Sequence, residues 1–201
     1  LYNARVIPYR GSWLDFEFDA KDHLFARIDR RRKLPATIVL RALEYTTAEI
    51  LGLFYENNSF TLMPEGVEVD MIPSRLRGEI FPEDITDADG KVMVEKHRRS
   101  SPRHVRLLEK SKVKKLQFSD EYLLGQRLAQ DVVDTETGEL LGSANAQVTQ
   151  EMIDSIRQAK IKSLDCLYIS EVDCGPYISD TLLLEASTTT LEAMVEIYRI
   201  M

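Results

Sequence analysis

Five cations and one indole are the most chemically suggestive residues of this sequence. The run Asp29-Arg30-Arg31-Arg32-Lys33-Leu34-Pro35-Ala36 sets four positive charges side by side in a chain whose formal net charge is −7. Crowding like charges has an electrostatic cost, so a compact basic knot on an acidic background marks a surface that faces a polyanion. Upstream, Pro8-Tyr9-Arg10-Gly11-Ser12-Trp13-Leu14-Asp15-Phe16-Glu17-Phe18 carries the only Trp. A flat aromatic among cations suits a strand of nucleic acid: phosphates meet the cations and a base stacks on the ring. Trp13, Arg10, Ser12, Arg30, Arg31, Arg32 and Lys33 are therefore the candidate nucleic-acid-binding residues. The plainer alternative is a core Trp beside a solvated basic face, and burial of the indole would decide for it.

Bond chemistry has less to stand on. A hydrolase needs a nucleophile, a base and an orienting group in one site. His23, His97 and His104 are the only histidines, and they read as exposed polar residues. Cys166 lies among Leu164, Leu167 and Ile169, which predicts a buried, inert thiol. Cys166 and Cys174, eight positions apart, read as free thiols in a reducing compartment, and so few Cys and His argue against zinc. Asp84, Asp87 and Asp89 lack the central Gly and later Glu of a calcium loop, and no Gly-rich phosphate loop occurs. No catalytic residue and no metal ligand is expected. A second cationic block, Lys91 to Lys115, holds ten Lys/Arg against two acids, while Leu116 to Met201 holds fifteen acids against five bases. Such asymmetry implies distinct faces or modules.

The elements that must carry these residues follow from periodicity. Residues 3–9, 13–18 and 23–29 read as strands; Trp13, Asp15 and Glu17 alternate with Leu14, Phe16 and Phe18. Pro35 suits a first helical turn, with a helix running to about Tyr45. Thr46 and Glu49 form a capping box for a second helix. Residues 58–63 and 67–72 read as a hairpin around Pro64-Glu65-Gly66, residues 73–90 as loop, and Asp89-Gly90 as the turn into a strand at 91–96. Ser101-Pro102 starts a helix to about Lys110 that offers Val105, Leu107 and Leu108 for packing. Strands at 127–133 and 139–146, a Thr149-capped helix to Ala159 and a strand at 163–169 complete the middle block. Tyr177 to Leu184 reads as extended, and Thr188 to Ile200 as a helix with Leu191, Met194, Val195 and Tyr198 at three-to-four spacing.

At 201 residues and 44% apolar content the chain can fill one large core or two small ones. No run approaches the eighteen apolar residues of a membrane span, and no signal peptide opens the chain. The missing initiator Met points to a piece of a longer polypeptide. The expected fold class is α+β in two modules: a discontinuous mixed α/β domain at 1–54 and 174–201, and an inserted α+β domain of short strands and helices at 55–173.

Several strings carry a resemblance. Tyr2-Asn3-Ala4-Arg5, the stretch from Pro8 to Phe18 and the stretch from Arg27 to Thr37 closely resemble the lobe of the beta subunit of bacterial DNA-directed RNA polymerase. Gly175-Pro176-Tyr177-Ile178-Ser179-Asp180-Thr181-Leu182 and Val195-Glu196-Ile197-Tyr198-Arg199 look like the lobe's return segment. Residues 55–173 are similar, more loosely, to the lineage-specific insertion within that lobe, through Val69–Glu79, Lys91–Lys96 and Thr137–Leu140.

The resemblance implies one wall of the downstream DNA cleft in a cytoplasmic nucleotidyltransferase. Trp13 resembles the aromatic that packs on a non-template base near the start site, and Arg10 and residues 30–33 would lie on or beside the DNA-facing surface. The insertion would dock regulators. Partners would be DNA, the alpha, beta-prime and omega subunits and sigma factor, with no membrane. The catalytic Mg2+ would be held by beta-prime, leaving this piece without cofactor or catalytic centre. Two competing classes are a pure protein-interaction module and a free-standing single-stranded nucleic-acid binder with an OB-like sheet.

Overall fold

The computed structural model describes residues 2–86, 92–110, 114–170 and 173–201. They gather into two compact units, Leu1–Phe54 with Pro176–Met201, and Tyr55–Gly175. Each mixes helices with antiparallel sheet, so the fold class is α+β.

The first unit opens with an antiparallel meander of β1 (Asn3–Val6), β2 (Leu14–Phe18), β3 (Leu24–Ile28) and β4 (Leu34–Pro35), hydrogen-bonded in sequence order. The register sets Arg5 opposite Asp15 and Asp15 opposite Arg27. Asp19 closes the β2–β3 turn, its Oδ1 accepting from the backbone N–H of Lys21 and His23. Helix α1 (Ala36–Ala42) begins one residue later than Pro35 suggests. Pro35 still pairs with Phe25 in the sheet and keeps an extended ψ of 132°, so it flanks the helix instead of entering it. Helix α2 (Thr47–Phe54) is capped as expected: Thr46 N–H donates to Glu49 Oε2 at 2.8 Å and Glu49 N–H to Thr46 Oγ1 at 3.3 Å.

The second unit runs β5 (Asn57–Leu62), β6 (Val67–Asp70), β7 (Ile85–Thr86), β8 (Val92–Val94), α3 (Pro102–Lys110), β9 (Lys115–Phe118), β10 (Val132–Val133), β11 (Leu140–Gly142), α4 (Gln150–Gln158) and β12 (Ser163–Leu167). Its main sheet has the order β12-β5-β6-β9, and β7–β8 and β10–β11 form two small ribbons. Phe60, Phe81, Phe118, Leu123, Ile153, Ile156, Leu164 and Cys166 share its core, with Phe81 and Phe118 stacked at 5.6 Å. The β5–β6 turn needs Gly66: its φ is +100°, and a Cβ there would lie 2.3 Å from the Phe118 carbonyl oxygen. Thr149 caps α4 by accepting from Met152 N–H. The strands expected at 127–133 and 139–146 shrink to β10 and β11: toward their far ends the two segments keep only isolated contacts, Arg127 bridging to Gln147 and Leu128 N–H donating to the Ala146 carbonyl at 2.9 Å, while Leu128 also bridges to Cys166. Leu107, expected to pack, is exposed, while Leu108 is fully buried. The Asp89-Gly90 turn, Asp87 and Lys91 lie outside the described residues.

The chain returns to the first unit through α5 (Tyr177–Leu183) and α6 (Thr190–Ile200). The extended reading of Tyr177 to Leu184 is wrong. Tyr, Ile and Thr favour strands in composition, but the buried positions Ile178, Thr181 and Leu182 recur at helical spacing. Thr181 is used twice: its hydroxyl donates to the Tyr177 carbonyl at 2.6 Å and accepts the N–H of Leu24, the first residue of β3, at 2.9 Å. On α6 the face at Leu191, Met194, Val195 and Tyr198 is exposed, and the packed side is Ala193, Ile197 and Ile200. Arg41 of α1 ties the return segment down. It pairs with Glu185 at 2.7 and 3.2 Å and also donates to Thr188 O and Thr47 Oγ1. The Glu185 side chain is fully buried.

Candidate nucleic-acid interface

Trp13 follows the Gly11-Ser12 turn, where Gly11 takes a φ of +124°. Its backbone is clamped to the next turn of the meander. Trp13 N–H donates to Asp29 Oδ1 at 2.8 Å, and Asp29 N–H donates to the Trp13 carbonyl at 2.9 Å. Asp29 and Arg30 have φ of 48° and 59°, and Arg31 N–H closes the turn on the Ile28 carbonyl at 3.0 Å. Two successive left-handed residues inside such a four-residue turn have the φ signs of a type I′ hairpin turn. Asp tolerates that conformation; Arg does so at a steric cost. Asp29's own bonds offset it: the carboxylate is held below the usual Asp range by the Ser12 hydroxyl first and the Trp13 N–H second.

The turn brings Arg30 over the indole, its Cζ 5.4 Å from the ring centroid. Arg5 lies at 5.2 Å from the same centroid. Both are cation–π distances. The two guanidiniums differ in what else holds them. Arg5 is bonded through Nε and Nη2 to Asp15, its partner across β1–β2, and that contact keeps the Asp15 carboxylate below its ordinary value. Arg30 has no hydrogen bond or ion pair among the described residues. The indole remains 37% exposed. Phe16 packs against the unit's core and Phe18 sits edge-on to Tyr177, so the neighbouring phenyl rings turn away from the role.

The basic run does not form one patch. Arg30 goes to Trp13. Arg31 donates from Nη1 to the Ile200 carbonyl at the end of α6 at 3.2 Å, and its own carbonyl accepts from Arg27. Lys33 stands 4.1 Å from the Phe25 ring centroid, and with Arg32 it lines a groove whose other walls include Leu191 and Val195. Arg10 is exposed and unpaired among the described residues. Ser12 is exposed and bonded to Asp29. Of the seven candidates, then, Trp13, Ser12 and Arg30 meet, while Arg31, Arg32 and Lys33 are directed to other neighbours.

Three residues of this corner escape a linear reading. Arg5 and Asp15 are found only through strand register, and Asp29 only through the turn that reverses the chain beneath Trp13. Tyr9, fully exposed beside Arg10, adds a second ring to the same loop.

Elsewhere, several candidate reactive groups among the described residues are taken up by the fold. Cys166 is fully buried in the sheet, and burial pushes its thiol up to about 12. His23 pairs with Asp19, and His104 Nδ1 accepts from the Ser101 N–H. Asp84 is used structurally, accepting from the Lys96 N–H, and no group of acids, His or Cys among the described residues is arranged to hold a metal. No helix among them is long and apolar enough to cross a membrane. Residues 1–70 match the family model described as RNA polymerase Rpb2, domain 2, a range that passes Phe54 and takes in the β5–β6 hairpin.

Proposed function

We propose that this chain, whose residues 1–70 match the RNA polymerase Rpb2 domain 2 family model, is part of the second-largest (beta) subunit of a DNA-directed RNA polymerase, where it serves as a wall of the DNA channel and positions one strand of opened DNA without taking part in bond chemistry. The observation that carries the reading is the half-exposed indole of Trp13, with the guanidiniums of Arg5 and Arg30 against it and its backbone clamped by Asp29. A non-template base stacks on the ring. Arg5 stays with Asp15, while Arg30, free of ion pairs, leaves the ring to meet a phosphate. Arg10 and Tyr9 extend the contact along the strand. Arg32 and Lys33 raise the local concentration of DNA without touching the stacked base.

Nucleotide addition belongs to the assembled enzyme, with Mg2+ carried by the beta-prime subunit. The partners on this reading are DNA, the alpha, beta-prime and omega subunits and sigma factor, in the cytoplasm of a bacterium. The second unit is the lineage-specific insertion, a docking surface for regulators. Deleting residues 55–173 in the whole enzyme is expected to spare basal transcription and abolish a regulator's effect; loss of basal transcription overturns that assignment.

The Trp13 assignment is tested by Trp13→Ala in whole polymerase. One stacked base contributes roughly 1–3 kcal/mol, so promoter-complex lifetimes are expected to shorten between about fivefold and a hundredfold. The effect depends on the base at the start site, and the rate of phosphodiester formation is unchanged. Equal lifetimes on all start-site bases overturn the reading. A protein-packing role also has support in the first unit: Leu191, Met194, Val195 and Tyr198 leave one side of α6 apolar and exposed. That side is read as covered by protein in the assembled enzyme, and slower hydrogen exchange over 190–200 there than in the free chain is the expected result.

A further inference from the structure

Three unpaired charges of the second cationic block share one element. Arg103, Arg106 and Lys110 occupy positions i, i+3 and i+7 of α3, one stripe about 10 Å long at 1.5 Å per residue. All three are exposed, and none has a hydrogen bond or ion pair among the described residues. The opposite side of the helix is the packed one: Leu108 is fully buried, and Ser101 caps the helix by accepting from His104 N–H. Two of the basic residues flanking α3 are engaged elsewhere. Arg98 pairs with Glu95 and Lys115 with Glu68. Glu109, the only acid of α3, makes no ion pair with the stripe among the described residues.

We infer that this face of α3 is a second, sequence-independent contact for the backbone of duplex nucleic acid. A duplex carries one phosphate per strand for about each 3.4 Å of axis, so the stripe matches about three successive phosphates. Two observations favour a duplex backbone over other polyanions. The second unit exposes no large aromatic among the described residues, so it has no ring for an unpaired base. An acidic protein partner would need an apolar centre to its interface, and Leu107 is the only large apolar residue exposed on α3. The inference rests on the reading of the chain as part of a DNA-directed polymerase, which brings DNA within reach, but it does not depend on Trp13.

The test uses the 201-residue chain and a labelled blunt 20-base-pair duplex, with binding followed by anisotropy between 50 and 200 mM salt. The triple variant Arg103→Gln, Arg106→Gln, Lys110→Gln is expected to lower the slope of log K against log salt by about 3, with an unchanged circular dichroism spectrum. Trp13→Ala leaves that duplex slope alone and weakens binding of a single-stranded probe instead. An unchanged slope in the triple variant, or no duplex binding by the unmodified chain, overturns the inference. So does a polyglutamate peptide that binds in a stripe-dependent way while duplex binding is unaffected by the triple variant; that outcome assigns the face to an acidic protein. Because the Trp13 reading is read out on single strands, either proposal can fail without the other.

Discussion

Arg30–Lys33 and Arg103–Lys110 are the two cationic regions of the molecule, and they invert the impression given by their spacing. Four adjacent cations are scattered: one lies on an indole, one on a helix-end carbonyl, and two along a groove. Three cations spread over eight positions converge on one side of α3. A turn followed by a short strand sends successive side chains in different directions, whereas a helix gathers every third and fourth. Charge density along a sequence is therefore a poor guide to charge density on a surface, and the secondary structure beneath it decides.

Substitutions can separate a guanidinium's structural work from its surface work. The largest expected effect is that of Arg41→Ala. It leaves the fully buried Glu185 carboxylate unpaired, which costs about 3–5 kcal/mol. Denaturant unfolding followed through the sole Trp, which lies in the first unit, reads this directly, and a midpoint shift equal to that of Arg32→Ala contradicts the distinction. Next comes Trp13→Ala, at roughly 1–3 kcal/mol on a stacked base. Smaller still is Arg30→Ala against Arg32→Ala. Both are expected to lower the salt slope of single-strand binding by about 1, but only Arg30→Ala changes the fluorescence of Trp13. Equal spectra put Arg30 back among the generic cations.

The smallest effect is one of pH. The Asp29 carboxylate is depressed in the folded chain by Ser12 and the Trp13 N–H. Its clamp is therefore complete above the unfolded value of about 3.9 and is lost as pH falls through the lower folded value. Trp13 fluorescence is expected to stay constant from pH 8 to 5 and to change only in acid. A transition near neutrality counts against the Asp29 clamp.

The parts of this fold that were legible in the sequence are those written in a few consecutive residues. The Thr46–Glu49 box, the Thr149 cap and the Pro64-Glu65-Gly66 hairpin depend on neighbours three or four positions away, and the structure has them. Helix α5 was not legible because its Tyr, Ile and Thr favour strands by type, and only the spacing of its buried positions marks a helix. On α6 the spacing of Leu191, Met194, Val195 and Tyr198 marked the helix but not its packed side. The apolar residues counted there are larger than Ala193, yet it is Ala193 whose small side chain lies buried in the core. At the candidate interface the types Trp and Arg were visible, but Arg5 and Asp29 were not. One comes to the ring across a strand pair and the other across a chain reversal, and neither relation is local.

One feature of the second unit bears on how the chain came to be assembled. Tyr55 hydroxyl donates to the Gly175 carbonyl at 3.2 Å, and just inside them Leu167 pairs with Asn57. The polypeptide thus enters and leaves this unit through neighbouring positions, like a purse closed by its own drawstring. A cassette with adjoining ends can be acquired or discarded in evolution as a single event, since the host has only to rejoin two points already side by side.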